Sequence, residues 1–243
     1  MSIESDFLEA FELHSPPEIR KAIAAGASPV DPIEGKRPVD VLIEMYTRSS
    51  KFAECLRVLL DAGATVGDPL LEAVLLDDDA ALRKATLNHK LSPLCAYTSC
   101  RGVSALHICA EFNSVRCARV LIGQGADVNA RADVDGSGMG GQTPIFHTVN
   151  SNHNYCRPMM ELLVDAGADL DIRLKGLVWG DTMPWETVVF DVTPISYAQC
   201  GLYRQFHRDE ADIYSNIAYL HRKRYGTEPQ IRNVPNKYLF PEK

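Results

Sequence analysis

Apolar residues recur along this chain at the i, i+3, i+4 spacing of one helical face, in short runs that stop at glycine. FAECLRVLLDAG ends at Gly63 and CARVLIGQG at Gly125, and DAGA occurs at 61–64 and again at 165–168 within LLVDAGADLDIR. AIAAGASPV, from Ala22 to Val30, is a fainter copy. Such a run predicts an amphipathic helix closed by a glycine in the left-handed conformation of a C-cap. A second signal lies upstream of these glycines: DPLLEAV from Asp68, SALHICAEF from Ser104, TPIFHTVN from Thr143 and TPISYAQC from Thr193. A Ser, Thr or Asp, then Pro or Ala, then an apolar run reads as an N-cap with its first helical residue. Twenty-one positions separate Ser5 from Gly26, Asp68 from His89 and Ser104 from Gly125. The chain therefore repeats a pair of short helices of fixed length.

The unit GVSALHICAEFNSVRCARVLIGQGADVNAR, Gly102 to Arg131, resembles the ankyrin repeat, with Ser104, Ala105, Leu106 and His107 in the T-P-L-H slots. Thr143 and Pro144 match in the next unit, where Phe146 takes the His slot; Ser196 takes it in the last. Units are read near 5–36, 37–67, 68–103, 104–142, 143–192 and 193–225, followed by an extended tail at 226–243. The resemblance implies an all-α solenoid of about six helix-turn-helix units. It also implies binding of another protein through the concave face of finger tips and first helices. In those slots stand Arg101, Val103, Glu111 and Phe112 in the fourth unit, and Met139, Gln142, Asn150 and Asn152 in the fifth. His107 is implied to be a structural imidazole bonded to the neighbouring finger.

One segment exceeds the repeat. Within the insertion at 172–192, IRLKGLVWGDTMPWETVVFDV carries both tryptophans, Trp179 and Trp185, in β-branched and aromatic flanks around the turn residues Gly180, Asp181 and Pro184. This predicts a β-hairpin before the last unit. Its tryptophans are expected either to staple the hairpin onto the array or to anchor a partner.

Other candidate chemistry reads more plainly. Gly136, Gly138 and Gly141 fit G-x-G-x-x-G, but a helix exit precedes them where a dinucleotide fold needs a strand, so they read as a flexible finger. His147, His153 and Cys156 lack the fourth ligand of a structural zinc site. Cys109, Cys117 and Cys200 read as core, and Asp77, Asp78 and Asp79 as helix-start caps. Neither a cofactor nor an enzyme of a common class is expected. The alternatives are a regulatory or immunity-type subunit of a fixed complex, or an enzyme with a site near the insertion and the His153 and Cys156 turn.

Composition narrows the partners. A net charge of -7 disfavours nucleic acid, and no long apolar run suggests a membrane span. Glu4, Asp6 and Glu9 stand where a signal peptide would be basic, and seven cysteines without paired spacing suit a reducing compartment. A cytoplasmic monomer is expected. Arg222, Lys223 and Arg224 close a final helix, as dipole partners or as a patch for an acidic partner.

Overall fold

The computed structural model describes residues 3–86, 102–179 and 186–229. Helices come in consecutive pairs that pack on each other: α1 (Ile3–Glu12) with α2 (Pro16–Ala24), α3 (Pro38–Glu44) with α4 (Phe52–Asp61), and α5 (Pro69–Leu75) with α6 (Asp79–Thr86). Then follow α7 (Ala105–Phe112) with α8 (Val115–Gly123), a 3-10 turn (Pro144–His147) with α9 (Arg157–Asp165), and α10 (Pro194–Cys200) with α11 (Glu210–Tyr225). First helices stack on first helices, as α5 on α7 and α7 on the 3-10 turn, and second on second, as α6 on α8 and α9 on α11. One continuous core results, from Phe7 and Phe11 at one end to Ile213 and Leu220 at the other. None of the described helices is long and apolar enough to cross a membrane.

The glycine stops have the geometry their spacing predicts. Gly26, Gly63, Gly125 and Gly167 all take positive φ, between 88° and 108°. After each, the next residue's N–H reaches back into the helix: Ala27 to the Ala22 carbonyl, Ala64 to Leu59, Ala126 to Leu121 and Ala168 to Leu163, all within 2.9–3.0 Å. This is the Schellman closure, which satisfies carbonyls the helix end would otherwise leave bare.

Starts are equally local. Asp68 Oδ1 accepts from the N–H groups of Leu70 and Leu71, and Thr193 and Ser196 form a reciprocal capping box. Of the acidic trio, Asp78 caps α6 by accepting from the Ala81 N–H. Asp77 instead accepts from the Cys117 N–H at 2.9 Å, tying one helix pair to the next.

Two features depart from the plain repeat. The first helix of the fifth pair shrinks to the 3-10 turn, after which the Thr148 N–H and hydroxyl both donate to the Ile145 carbonyl. A long connection follows, with His153 and Asn154 at φ 48° and 52°. The insertion forms an antiparallel ladder of β1 (Leu174–Trp179) and β2 (Thr187–Val192), with Gly176 opposite Phe190 and Trp179 opposite Thr187. Leu174, Leu177 and Val192 bury into the core. Arg101, Trp185, the hairpin turn with Gly180, Asp181 and Pro184, the unit end near His89 and the tail beyond Pro229 lie outside the described residues.

The closures carry a testable consequence. A Cβ on Gly125 would meet nothing within 4 Å, so Gly125→Ala exposes the backbone cost alone. Thermal unfolding should show a loss of about 1 kcal/mol, a Tm fall of about 2–4 °C, with unchanged helix content by circular dichroism.

Candidate binding surface

The residues placed in first-helix slots do not form an open face. Val103 and Phe112 are 0% and 4% exposed. This corrects the expectation that they present side chains to a partner. Phe112 is covered where the stretched connection after α3 runs into α4. Phe52 lies 4.5 Å from the Phe112 ring, and the Arg48 guanidinium covers it at 4.5 Å.

Glu111 is likewise engaged within the chain. Arg48 Nε donates to its Oε1 at 3.0 Å, and His147 Nδ1 donates to its Oε2 at 2.7 Å. Burial pushes this carboxyl up, but the Arg48 and His147 partners outweigh it and hold it down at about 2. His147 Nε2 is left buried without a hydrogen-bond partner among the described residues.

His107 has the role the resemblance implies. Its Nδ1 accepts from the Ser104 N–H at 3.1 Å, so Nε2 carries the proton and donates to the Gln142 carbonyl at 3.0 Å. Burial first, then the neighbouring His147, lowers it to about 4 and keeps it neutral. The Gln142 backbone is thus a joint between pairs, and its side-chain Oε1 is buried. Asn150, 8% exposed, donates to the Tyr197 carbonyl and accepts from Arg208 through its own. Asn152 is half-buried at the start of the turn Asn152–Asn154.

Trp179 lies flat on Phe206, with centroids 4.0 Å apart and planes at 13°, and sets its edge against Tyr46 at 6.0 Å. Arg208 closes the same group by donating to the Tyr46 hydroxyl at 3.0 Å. Tyr46, Arg48, Phe206 and Arg208 were not legible as contact residues. The only trace of them in the sequence is that their helix-to-helix connections are longer than the repeat requires.

Three of the exposed apolar side chains lie on the finger and the hairpin. The finger turns at Gly138, Gly140 and Gly141, all at positive φ, and closes with a bridge between Val134 and Gly140. Gly140 N–H donates to the Gly176 carbonyl at 3.0 Å, joining finger to β1. A Cβ on Gly176 would meet the Val189 carbonyl at 2.9 Å, with Met139 Sδ at 2.6 Å beside Phe190, so glycine is required there. Val134, Val188 and Phe190 stand out at 60%, 42% and 65% exposure.

Other candidates resolve as packing or pairing. Cys156 is buried and its thiol is pushed up to about 12 by burial, which removes it as a nucleophile. The five described cysteines are all buried free thiols. No group of three His, Cys, Asp or Glu among the described residues could hold a metal ion. Lys223 pairs with Asp165, Arg224 with Asp171 and Arg222 with Glu228, so these cations are neutralised in place.

Comparison with known proteins agrees with the repeat. The ankyrin repeat family model matches residues 101–133. A curated relative, the Nuclear factor NF-kappa-B p105 subunit of Gallus gallus, is 33% identical over 94 residues, covering 36% of this chain and 10% of that protein. The chain thus matches about a tenth of that relative's length. Ankyrin repeats as a class mediate contacts between proteins.

Two measurements follow. Trp179→Ala removes a half-buried stacked ring and should cost about 2 kcal/mol, a Tm fall of about 4–8 °C. Acid should destabilise in two stages. His14 and His107 are both lowered to about 4, so their contribution is complete above the ordinary pKa of 6.5 and is lost as pH falls from there toward 4. The Glu111 contribution, complete above 4.5, is lost as pH falls toward 2. Melts from pH 7.5 downward should show Tm falling first below 6.5, and His107→Gln should shrink that first stage to the share carried by His14.

Proposed function

We propose that this ankyrin-repeat protein is a protein-protein interaction module, a monomeric array of six units that binds a partner protein through its finger side. The reading is supported by one observation above the rest: the finger, which bonds to β1, and the hairpin expose Val134, Val188 and Phe190, with Met139 beside Phe190 over Gly176. Exposed apolar clusters of this kind mark interaction sites. Trp179, stacked on Phe206, fixes the hairpin that carries β2. The net charge of -7 favours a protein over a nucleic acid as partner. Buried free thiols suit a reducing, cytoplasmic setting.

A photo-crosslinking amino acid placed at Val134, at Phe190 or at the exposed α8 residue Arg119, each in the full chain in its native cell, tests the surface. Discrete covalent adducts with a protein are expected from the first two positions and not from Arg119. Equal labelling at all three, or none at the finger and hairpin, would overturn the proposal.

A further inference from the structure

β2 is one edge of a two-stranded sheet, and the polarity of its backbone follows from β1. The Gly176 carbonyl accepts from Gly140 of the finger, so it points away from β2. Gly176 stands opposite Phe190, and Val178 opposite Val188. In an antiparallel ladder two opposed residues turn their N–H and C=O groups either toward each other or both outward, in alternation. The backbone groups of Val188 and Phe190 are therefore turned out of the sheet, and no described residue bonds to them. Val189, between them, completes the ladder with Leu177.

Proteins usually blunt such an edge with lysine, proline or a bulge. The run TVVF of β2 has none of these. It offers two outward peptide units and two outward side chains, Val188 and Phe190, with Met139 beside Phe190 over Gly176. The finger that bonds to β1 is acidic, with Asp133 and Asp135. The nearby cations are already engaged, Arg173 with Asp191 and Lys175 with the Ser137 carbonyl.

We propose that β2 accepts an extended segment of a partner protein as a third strand, one in which β-branched or aromatic residues alternate with lysine or arginine. Main-chain bonds would hold it and the alternate side chains would select it. The proposal rests on the finger and hairpin being the partner surface, and it adds the mode and chemistry of binding.

The probe is a fluorescein-labelled peptide, KVTVKVTVK, added to the full chain, with a copy N-methylated at its valines as control. Binding is expected by anisotropy for the first and not for the second, with exchange of the Val188 and Phe190 amides slowed about tenfold or more at saturation. Val188→Pro removes an outward N–H while leaving the bonds between β1 and β2. It should weaken binding about tenfold, with Trp179 emission unchanged to show that the hairpin stands. Absence of peptide binding, binding without amide protection, or equal binding of the N-methylated copy would overturn strand addition. So would full affinity in a Val188→Pro protein. Crosslinks from Phe190 to the native partner would survive those outcomes, so failure of the binding mode is separable from failure of the surface.

Discussion

A helix of seven to ten residues cannot hold itself together in water, and a pair of them has one apolar face with nothing of its own to cover it. Everything else in this molecule depends on that constraint. Each pair borrows its neighbour's apolar face, so Leu106 and Cys109 of α7 reach zero or near-zero exposure only because α5 and the turn at Pro144 flank them. The joints between pairs are polar and specific. His107 spans to Gln142, and Asp77 spans to Cys117. Each replaces the water that a backbone group would lose on burial.

In a plain repeat array each unit touches only its neighbours, and stability is a sum of local terms. Here a second set of contacts is laid over the first. Arg48 reaches 63 positions along the chain to Glu111, and Arg208 reaches 162 positions back to Tyr46. Glu111 shows how such contacts are made: a partly enclosed carboxylate with one oxygen bonded to Arg48 and the other to His147. Trp179 lies beside Tyr46 and Phe206, so the hairpin joins the connections of the second and last helix pairs.

Local features were legible in the sequence. Glycine closures, proline-marked starts, the hairpin and the imidazole joint at His107 each depend on residues within a few positions of one another. The binding residues were not legible in the same way. A slot in a repeat says which helix face a residue occupies, but whether that face is covered depends on connections elsewhere. Phe112 is buried by a loop some sixty positions away, and Glu111 is neutralised by the same loop. In the sequence Val188 and Phe190 read only as strand formers. Their exposure follows from the phase of the ladder, which is fixed by the finger rather than by their own neighbours.

The bond between Tyr46 and Arg208 also bears on how such a chain can change over generations. An open array can gain or lose a unit in the middle, since the flanking units simply meet each other. A chain whose second helix pair grips its last cannot. Removing or duplicating one pair between them would carry Tyr46 out of reach of Trp179 and Arg208. The number of repeats between those two connections is therefore locked, and variation is channelled into loop tips and the outward strand.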